Sequence, residues 1–400
     1  MPWLESTWRS SFTRRFGLRS LAAFLAGSPW LRGQQDPFRD HSRVPAMDEL
    51  VTAFDFEAVA QAKLPEDAFQ NTALGCEGEF TLRRNREVFD WVELVPRTIM
   101  DVSSVDTATE VLGTKMAFPI MIAPTSGQLL LHPAGEMAMH QGATAASNTP
   151  MLISFNASFP VDKIAAAATG PLWYQLYPRE TPEENQEIVE RVQALGCRAI
   201  VITLDAPVGE LRERALHLRN LAAPRTLPPR ARPQSPDPNS KYGALTRQRP
   251  WMDWKLLDSF RRFIKVPLVG KAILTAEDAL ECVQHGWDGI IVSNHGGRSN
   301  DYAPSTLEVL PEIIDAVQGR IPVLIDSGFR RGSDVLKALA LGAKAVCLGR
   351  VPRYGLGAYG PAGAQRVLEI VQGELVMAMA ATGCSSLASI DLSLVRADFS

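Results

Sequence analysis

IPVLIDSGFRRGSDVLKALALGAKAVCLGR, residues 321–350 of a 400-residue chain, holds two short apolar runs, IPVLID and AVCLG, each followed by a glycine-bearing turn. Short apolar runs rich in β-branched residues and bounded by turn signals read as strands buried on both faces. Six more lie upstream: FPIMIAP (118–124), PMLIS (150–154), PLWYQLY (171–177), RAIVITLD (198–205), VPLVGK (266–271) and DGIIVS (288–293). Helical stretches such as PEENQEIVERVQALG (182–196) and AEDALECVQHG (276–286) separate most of them, each long enough for a crossover and ending at glycine. Eight such units predict an α/β fold, a single (β/α)8 TIM barrel. Before it, MDELVTAFDFEAVAQAKLP (47–65) predicts a helical lead-in, with Leu50, Val51, Phe54, Phe56, Val59 and Ala60 recurring at helical offsets.

Between the fourth and fifth strands lie residues 206–254, a connection far longer than barrel loops need. Its RTLPPRARPQSPDPNS portion (225–240) reads as a solvated mobile loop rather than a basic binding tail. Trp251 and Trp254, at its end, either lie over a substrate or pin the loop. Residues 1–47 are read as a leader and linker, and the barrel as 48–400. Arg14-Arg15 ahead of the apolar run Leu21 to Leu25 resembles a twin-arginine export signal, with a basic extension as the equal alternative; the protein is then exported or cytoplasmic accordingly.

Composition narrows the chemistry. A net charge of −3 offers no basic field for nucleic acid. The five cysteines, Cys76, Cys197, Cys282, Cys347 and Cys384, form no CxxC and no cluster with histidine, so neither a zinc site nor a disulfide framework is expected. Cys347 reads as a buried strand thiol. His132 and His140 in HPAGEMAMH are read as part of a helix start, not a metal pair. No apolar stretch is long enough to span a bilayer.

Barrel active sites use the C-terminal ends of strands and the loops after them. Those ends offer Pro124, Thr125, Ser126, Ser154, Gln175, Tyr177, Thr203, Asp205, Lys271, Ser293, His295, Arg298, Asp326, Gly349 and Arg350. Each has a bland use, as a cap or a solvated tip. Together they suggest a base, its orienting carboxylate and an anion clamp. The glycine turns after the last two strands, with Arg330 and Arg350, suggest a phosphorylated cofactor held on backbone N–H groups. No GxGxxG follows the first strand, so a Rossmann dinucleotide is not indicated.

The segments FPIMIAPTS, YQLY, VITLDAP, GKAILTAEDA, IIVSNHGGR, IPVLIDSGFRRGSDVLKALALGA and LGR, in this order, resemble the FMN-dependent α-hydroxy-acid oxidase and dehydrogenase family, which includes glycolate oxidase, lactate oxidase, flavocytochrome b2 and mandelate dehydrogenase. The resemblance covers roughly residues 48–400. It implies FMN as cofactor and oxidation of an (S)-2-hydroxy acid to the 2-oxo acid. The electrons go to oxygen, a quinone or a protein, and the assembly is a homotetramer. His295 is then the base, Asp205 its partner, Arg298 and Arg212 the carboxylate clamp, and Tyr177 the group at the reacting hydroxyl. Lys271 stands beside flavin N1 and O2. Ser154, Gln175, Thr203 and Ser293, with Pro124, Thr125 and Ser126, surround the ring. Asp326 holds ribityl hydroxyls, and Gly328, Arg330, Gly349 and Arg350 hold the phosphate. Gly296 and Gly297 are expected to bring the backbone close to the flavin.

Departures from the family pattern are also visible. AFQNTALGCEGEFTLRRN (68–85) puts Asn71 where the family carries a substrate-binding tyrosine, and Asn156 stands where glycolate oxidase has a large aromatic. After Arg298 the chain reads Ser299-Asn300-Asp301, and Asp326 is followed by Ser327-Gly328; neither change removes a catalytic side chain. Two other functions fit the same segments: an FMN barrel oxidoreductase or isomerase with a different substrate, and a flavin-binding barrel without turnover.

Overall fold

Thr52 begins the ordered lead-in with a reciprocal cap. Its hydroxyl accepts from Asp55 N, and the Asp55 carboxylate accepts from Thr52 N at 2.9 Å. Helix α1 (Ala53–Lys63) follows, then α2 (Glu66–Ala73) and α3 (Phe80–Glu87). Leu50, Phe56, Val59 and Ala60 are buried as expected, whereas Val51 is 67% and Phe54 40% exposed. Val51 precedes the helix. Phe54, two residues before Phe56, faces roughly the opposite side at 100° per residue and lies under the Arg331 guanidinium instead.

The computed structural model describes residues 43–179, 181–205, 212–215 and 253–399. The Arg14-Arg15 segment, the 225–240 stretch and Trp251 lie outside the described residues. One compact unit spans Ala46–Ser400.

Eight parallel strands close into a barrel: β1 (Ile120–Ile122), β2 (Met151–Ser154), β3 (Leu172–Leu176), β4 (Ile200–Thr203), β5 (Leu268–Ile273), β6 (Gly289–Val292), β7 (Val323–Asp326) and β8 (Ala345–Leu348). They follow one another in chain order, and β8 returns to β1 with Val346 opposite Ile120 and Leu348 opposite Ile122. All eight apolar runs are therefore barrel strands. Helices α4 (Gly135–Ala145), α5 (Val161–Ala167), α6 (Pro182–Ala194), α7 (Trp254–Ser259), α8 (Ala276–Gln284), α9 (Thr306–Val317), α10 (Gly332–Ala340) and α11 (Arg350–Ala381) alternate with them. After α6 and α8 the chain turns at Gly196 (φ 86) and Gly286 (φ 69), left-handed positions that suit glycine. Helix α11 is broken at Tyr359 and Gly360, just before Pro361.

Two apolar layers result from the alternation of strand side chains. One face packs under the helices, with Ile120, Ile153, Ile200, Ile290 and Ile325 among the buried residues. The other fills the barrel with Met121, Leu152, Trp173, Val201, Val269, Ile291, Leu324 and Cys347. Cys347 is 1% exposed, the buried thiol expected of it. An antiparallel hairpin, Thr109–Val111 with Thr114–Met116, adds Val111 and Met116 to this inner cluster. Trp173 Nε1 donates to Thr114 Oγ1 at 3.0 Å, satisfying the one polar group of a fully buried indole.

Candidate active site

Strand periodicity assigns the rim. A step of two residues from each inner apolar position leads from Leu152 to Ser154, from Trp173 to Gln175, from Val201 to Thr203 and from Val269 to Lys271. The same step leads from Ile291 to Ser293, from Leu324 to Asp326 and from Cys347 to Gly349. These positions share the barrel's interior face at its C-terminal end. Ser154, Gln175, Thr203, Lys271, Ser293 and Asp326 are all buried there, at 5% exposure or less.

Lys271 is the cation of this layer. Its Nζ donates to Ser293 Oγ at 2.7 Å and lies 3.3 Å from Asp326 Oδ2. Burial works to lower its pKa, but the charges of Asp326 and Asp205 outweigh that and raise it, so the ammonium is held charged. Asp326 also accepts from Ser327 Oγ at 2.7 Å. Gln175 accepts through Oε1 from Ser154 Oγ (3.3 Å) and from Phe155 N (3.2 Å). Its Nε2 is buried and has no partner among the described residues. Tyr177, two residues on, is buried and meets Phe155 edge-on at 6.1 Å.

One layer higher, His295 Nδ1 lies 3.2 Å from Asp205 Oδ1 and 3.3 Å from Oδ2. A carboxylate can only accept, so Nδ1 carries the proton and Nε2 is left as the basic nitrogen. Burial tends to raise the Asp205 pKa, yet the charge and hydrogen bond of His295, with Lys271 and Ser299, hold it well below the usual carboxylate range. Ser299 Oγ donates to Asp205 Oδ2 at 2.8 Å. The residue that looked like an inert departure from the family pattern is thus a third member of the His–Asp arrangement. Ninety-four positions separate it from Asp205, and nothing local in the sequence signals the contact.

The loop carrying His295 is strained. His295 (φ 58), Gly296 (φ 69) and Gly297 (φ 71) are consecutive left-handed residues. A non-glycine residue there costs on the order of 1 kcal/mol or more and is held by its surroundings. A side chain at either glycine would strike protein. A Cβ on Gly297 would lie 2.6 Å from Leu82 N in α3, and one on Gly296 would lie 2.6 Å from Arg350 Nη1. They dock the loop against protein. Asp301 completes the docking, accepting from Thr81 N (2.8 Å) and Phe80 N (3.2 Å) at the start of α3. Burial opposes its ionisation, but these backbone N–H groups prevail and lower its pKa. A depressed folded-state pKa means that Asp301 stabilises the fold above the unfolded value of about 3.9, and that this is lost as pH falls through the lower one. Asp301→Ala should cost about 1–2 kcal/mol in urea unfolding at pH 7, with the difference from wild type shrinking as the pH is taken below about 4.

Arg298 Nη1 donates to the carbonyls of Asn71 (3.0 Å) and Leu74 (2.9 Å), anchoring it against the C-terminal end of α2. Asn71 is half-buried beside it. Arg212 lies in the short described segment 212–215, where Arg214 pairs with Glu79 at 2.9 Å. Pro124 and Thr125 are half-buried after β1, Ser126 is exposed, and Thr125 Oγ1 accepts from Gln128 Nε2 at 3.2 Å. Asn156 is exposed. Trp254 stacks on His285 at 4.1 Å and meets Trp287 edge-on, so it pins α7 rather than covering the site. His140 accepts through Nε2 from Thr169 N and Gly170 N, and His132 Nδ1 from Ala134 N, which makes both of them local structural groups.

At the corner after β7 and β8, Arg350 donates to the carbonyls of Thr72, Leu74 and Gly296. Burial, with the nearby Arg330 charge, pushes it down to about 10. Arg330 itself lies 3.7 Å from Glu57. A Cβ on Gly349 would meet nothing closer than 3.9 Å, whereas one on Gly328 would lie 1.8 Å from Asn85 O. Gly349 therefore has room for a methyl group at ordinary contact distance, whereas Gly328 lies against a backbone crossing.

These features fit FMN: an orphaned buried amide donor on Gln175, a buried cation at Lys271, and a turn at Gly349 whose backbone has no close neighbour on the Cβ side.

The chain is similar to known proteins over most of its length. A family model described as FMN-dependent dehydrogenase matches residues 60–397. A peroxisomal (S)-2-hydroxyacid oxidase of Arabidopsis thaliana is 37% identical over 88% of this chain and 98% of its own. Glycolate oxidase of Spinacia oleracea is 38% identical over 88% and 97%. Among solved structures, mandelate oxidase with (S)-2-phenylpropionate superposes with a TM-score of 0.77 at 34% identity, covering 87% of this chain and 98% of that one. A flavocytochrome b2 mutant with pyruvate bound gives 0.81 at 31%, covering 89% and 88%. With the barrel and the rim chemistry in place, the match over most of its length shows that the chain belongs to the FMN-dependent dehydrogenase family.

Proposed function

We propose that this protein oxidises an (S)-2-hydroxy acid to the 2-oxo acid, and the His295–Asp205 pair at the barrel rim carries the proposal. Bound FMN supplies the two-electron acceptor. The protein's own groups do the rest. Arg298 and Arg212 bind the substrate carboxylate, since a planar guanidinium matches it with two parallel donors. Asn71 adds an amide to the same side. Tyr177 orients the substrate hydroxyl. His295 Nε2 takes a proton from the substrate, and Asp205, fixed by Ser299, stabilises the imidazolium that forms.

Gln175, Ser154, Thr203, Ser293 and Lys271 would hold the ring, with Pro124, Thr125 and Ser126 at its edge. Asp326 would hold the ribityl chain, and Gly349, Gly328, Arg330 and Arg350 the phosphate corner. Asp326 stands 3.3 Å from Lys271, so ribityl binding and the lysine are coupled. The leader boundary at residue 47, the homotetramer and the final acceptor, oxygen, a quinone or a protein, belong to the same proposal. Among the described residues no helix is long and apolar enough to cross a membrane.

Purified protein should be yellow, and an (S)-2-hydroxy acid should bleach it without oxygen. A panel of glycolate, lactate, mandelate and long-chain hydroxy acids checks this, and readmission of oxygen or a quinone identifies the acceptor. A flavin that stays oxidised across the panel rules the reading out.

A further inference from the structure

Arg353 lies three residues beyond Arg350 in α11 and was not among the residues expected at the site. It is 4% exposed. Its Nε and Nη2 donate to Thr72 Oγ1 at 3.1 and 2.9 Å, its Nη1 to the Ser126 carbonyl, and its Nη2 to Asn71 Oδ1 at 3.2 Å. None of these acceptors is a carboxylate. Burial pushes the guanidinium down to about 10. A buried cation satisfied by neutral oxygens alone is costly to keep, which calls for a reason.

Asn71 provides one. A guanidinium has donors and no acceptor, so the amide edge turned to Arg353 is the oxygen, and Nδ2 is turned away from it. The Asn71 backbone carbonyl accepts from Arg298 Nη1 at 3.0 Å, which seats this amide directly beside the proposed carboxylate clamp. Gly127 makes the fit: a Cβ there would stand 3.2 Å from Asn71 Oδ1.

We propose that Arg353 is a positioning residue, fixing the Asn71 amide by its oxygen so that Nδ2 donates to the substrate carboxylate that Arg298 holds. Arg353 and Asn71 then work as a pair at the position where the family resemblance puts a tyrosine. This inference rests on the hydroxy-acid reading above.

Asn71→Asp tests it in the FMN-loaded protein. The variant keeps the shape, offers Arg353 a carboxylate, and removes the only donor of the amide. The melting temperature should hold or rise. The Kd for oxalate, a planar anion resembling the 2-oxo acid and read from the flavin absorbance, should rise about 10- to 100-fold, as should the KM for the hydroxy acid, with kcat changing less. Arg353→Lys keeps the charge but not the fork, and should raise the oxalate Kd several-fold. An oxalate Kd within twofold of wild type in Asn71→Asp overturns the inference, whatever the melting temperature does. A lowered melting temperature also overturns it, because the new carboxylate then does not meet Arg353. Wild-type protein that binds oxalate yet is bleached by no hydroxy acid removes the oxidase reading instead.

Discussion

Replacing His295 with glutamine is expected to slow substrate-driven bleaching by about 10³-fold, within the range that a lost general base removes. Glutamine can still donate to Asp205 but cannot take a proton. Ser299 and Lys271 remain to satisfy the carboxylate, so the site should keep its shape, and oxalate affinity should change by no more than a few-fold. The backbone needs its own control because His295 sits at φ 58. Asparagine tolerates that region well, so His295→Asn should lose the same rate with a melting temperature close to wild type. Turnover within tenfold of wild type in both variants would remove His295 from the proposed chemistry. An equal loss of oxalate binding would make it a binding group.

Gly328→Ala should give the largest loss of stability, about 3 kcal/mol or more, from a left-handed alanine forced against backbone. Gly328 has φ 84, and its Cβ would lie 1.8 Å from Asn85 O and 2.6 Å from Asn85 C. Asn85 cannot yield easily. It exchanges two side-chain hydrogen bonds with Asn294, at 2.9 and 2.7 Å, and its neighbour Arg86 donates to the Gly328 carbonyl at 3.0 Å. A thermal melt should fall by about 4 °C, because a unit of this size unfolds with a large entropy change. Gly319→Ala separates the two causes, since Gly319 has φ 70 and a Cβ there meets nothing within 4 Å. It should show only the conformational part, about 1–2 kcal/mol. Equal losses in the two variants would mean that the Asn85 contact matters little.

The contrast between these glycines shows where sequence reading stops. Both stand in polar turns and both take left-handed backbone. Only the crossing of α3, more than 240 positions earlier, makes one of them intolerant of a methyl group. The same limit applies to Gly296 and Gly297, whose close neighbours Arg350 and Leu82 nothing local in the sequence signals. It also explains Ser299, whose partner is Asp205, and Arg353, whose partners lie in α2 and in the turn after β1. Val51 and Phe54 are the smaller lesson: an apolar residue at a helical offset is buried only if the helix has begun and that face meets the core.

What the sequence determined by itself is the barrel and its chemical rim. Strand side chains alternate with period two, so eight buried runs specify an inner apolar layer and the polar residues that cap it, and this follows from local geometry alone. Gln175, Lys271, Ser293 and Asp326 were readable for that reason. What the tertiary structure decided is how those groups are held: which nitrogen of His295 faces a carboxylate, which edge of Asn71 faces a cation, and which glycines have no room. These depend on contacts between segments 90 to 282 residues apart, and hydrogen-bond direction and van der Waals distance exist only once those segments are brought together.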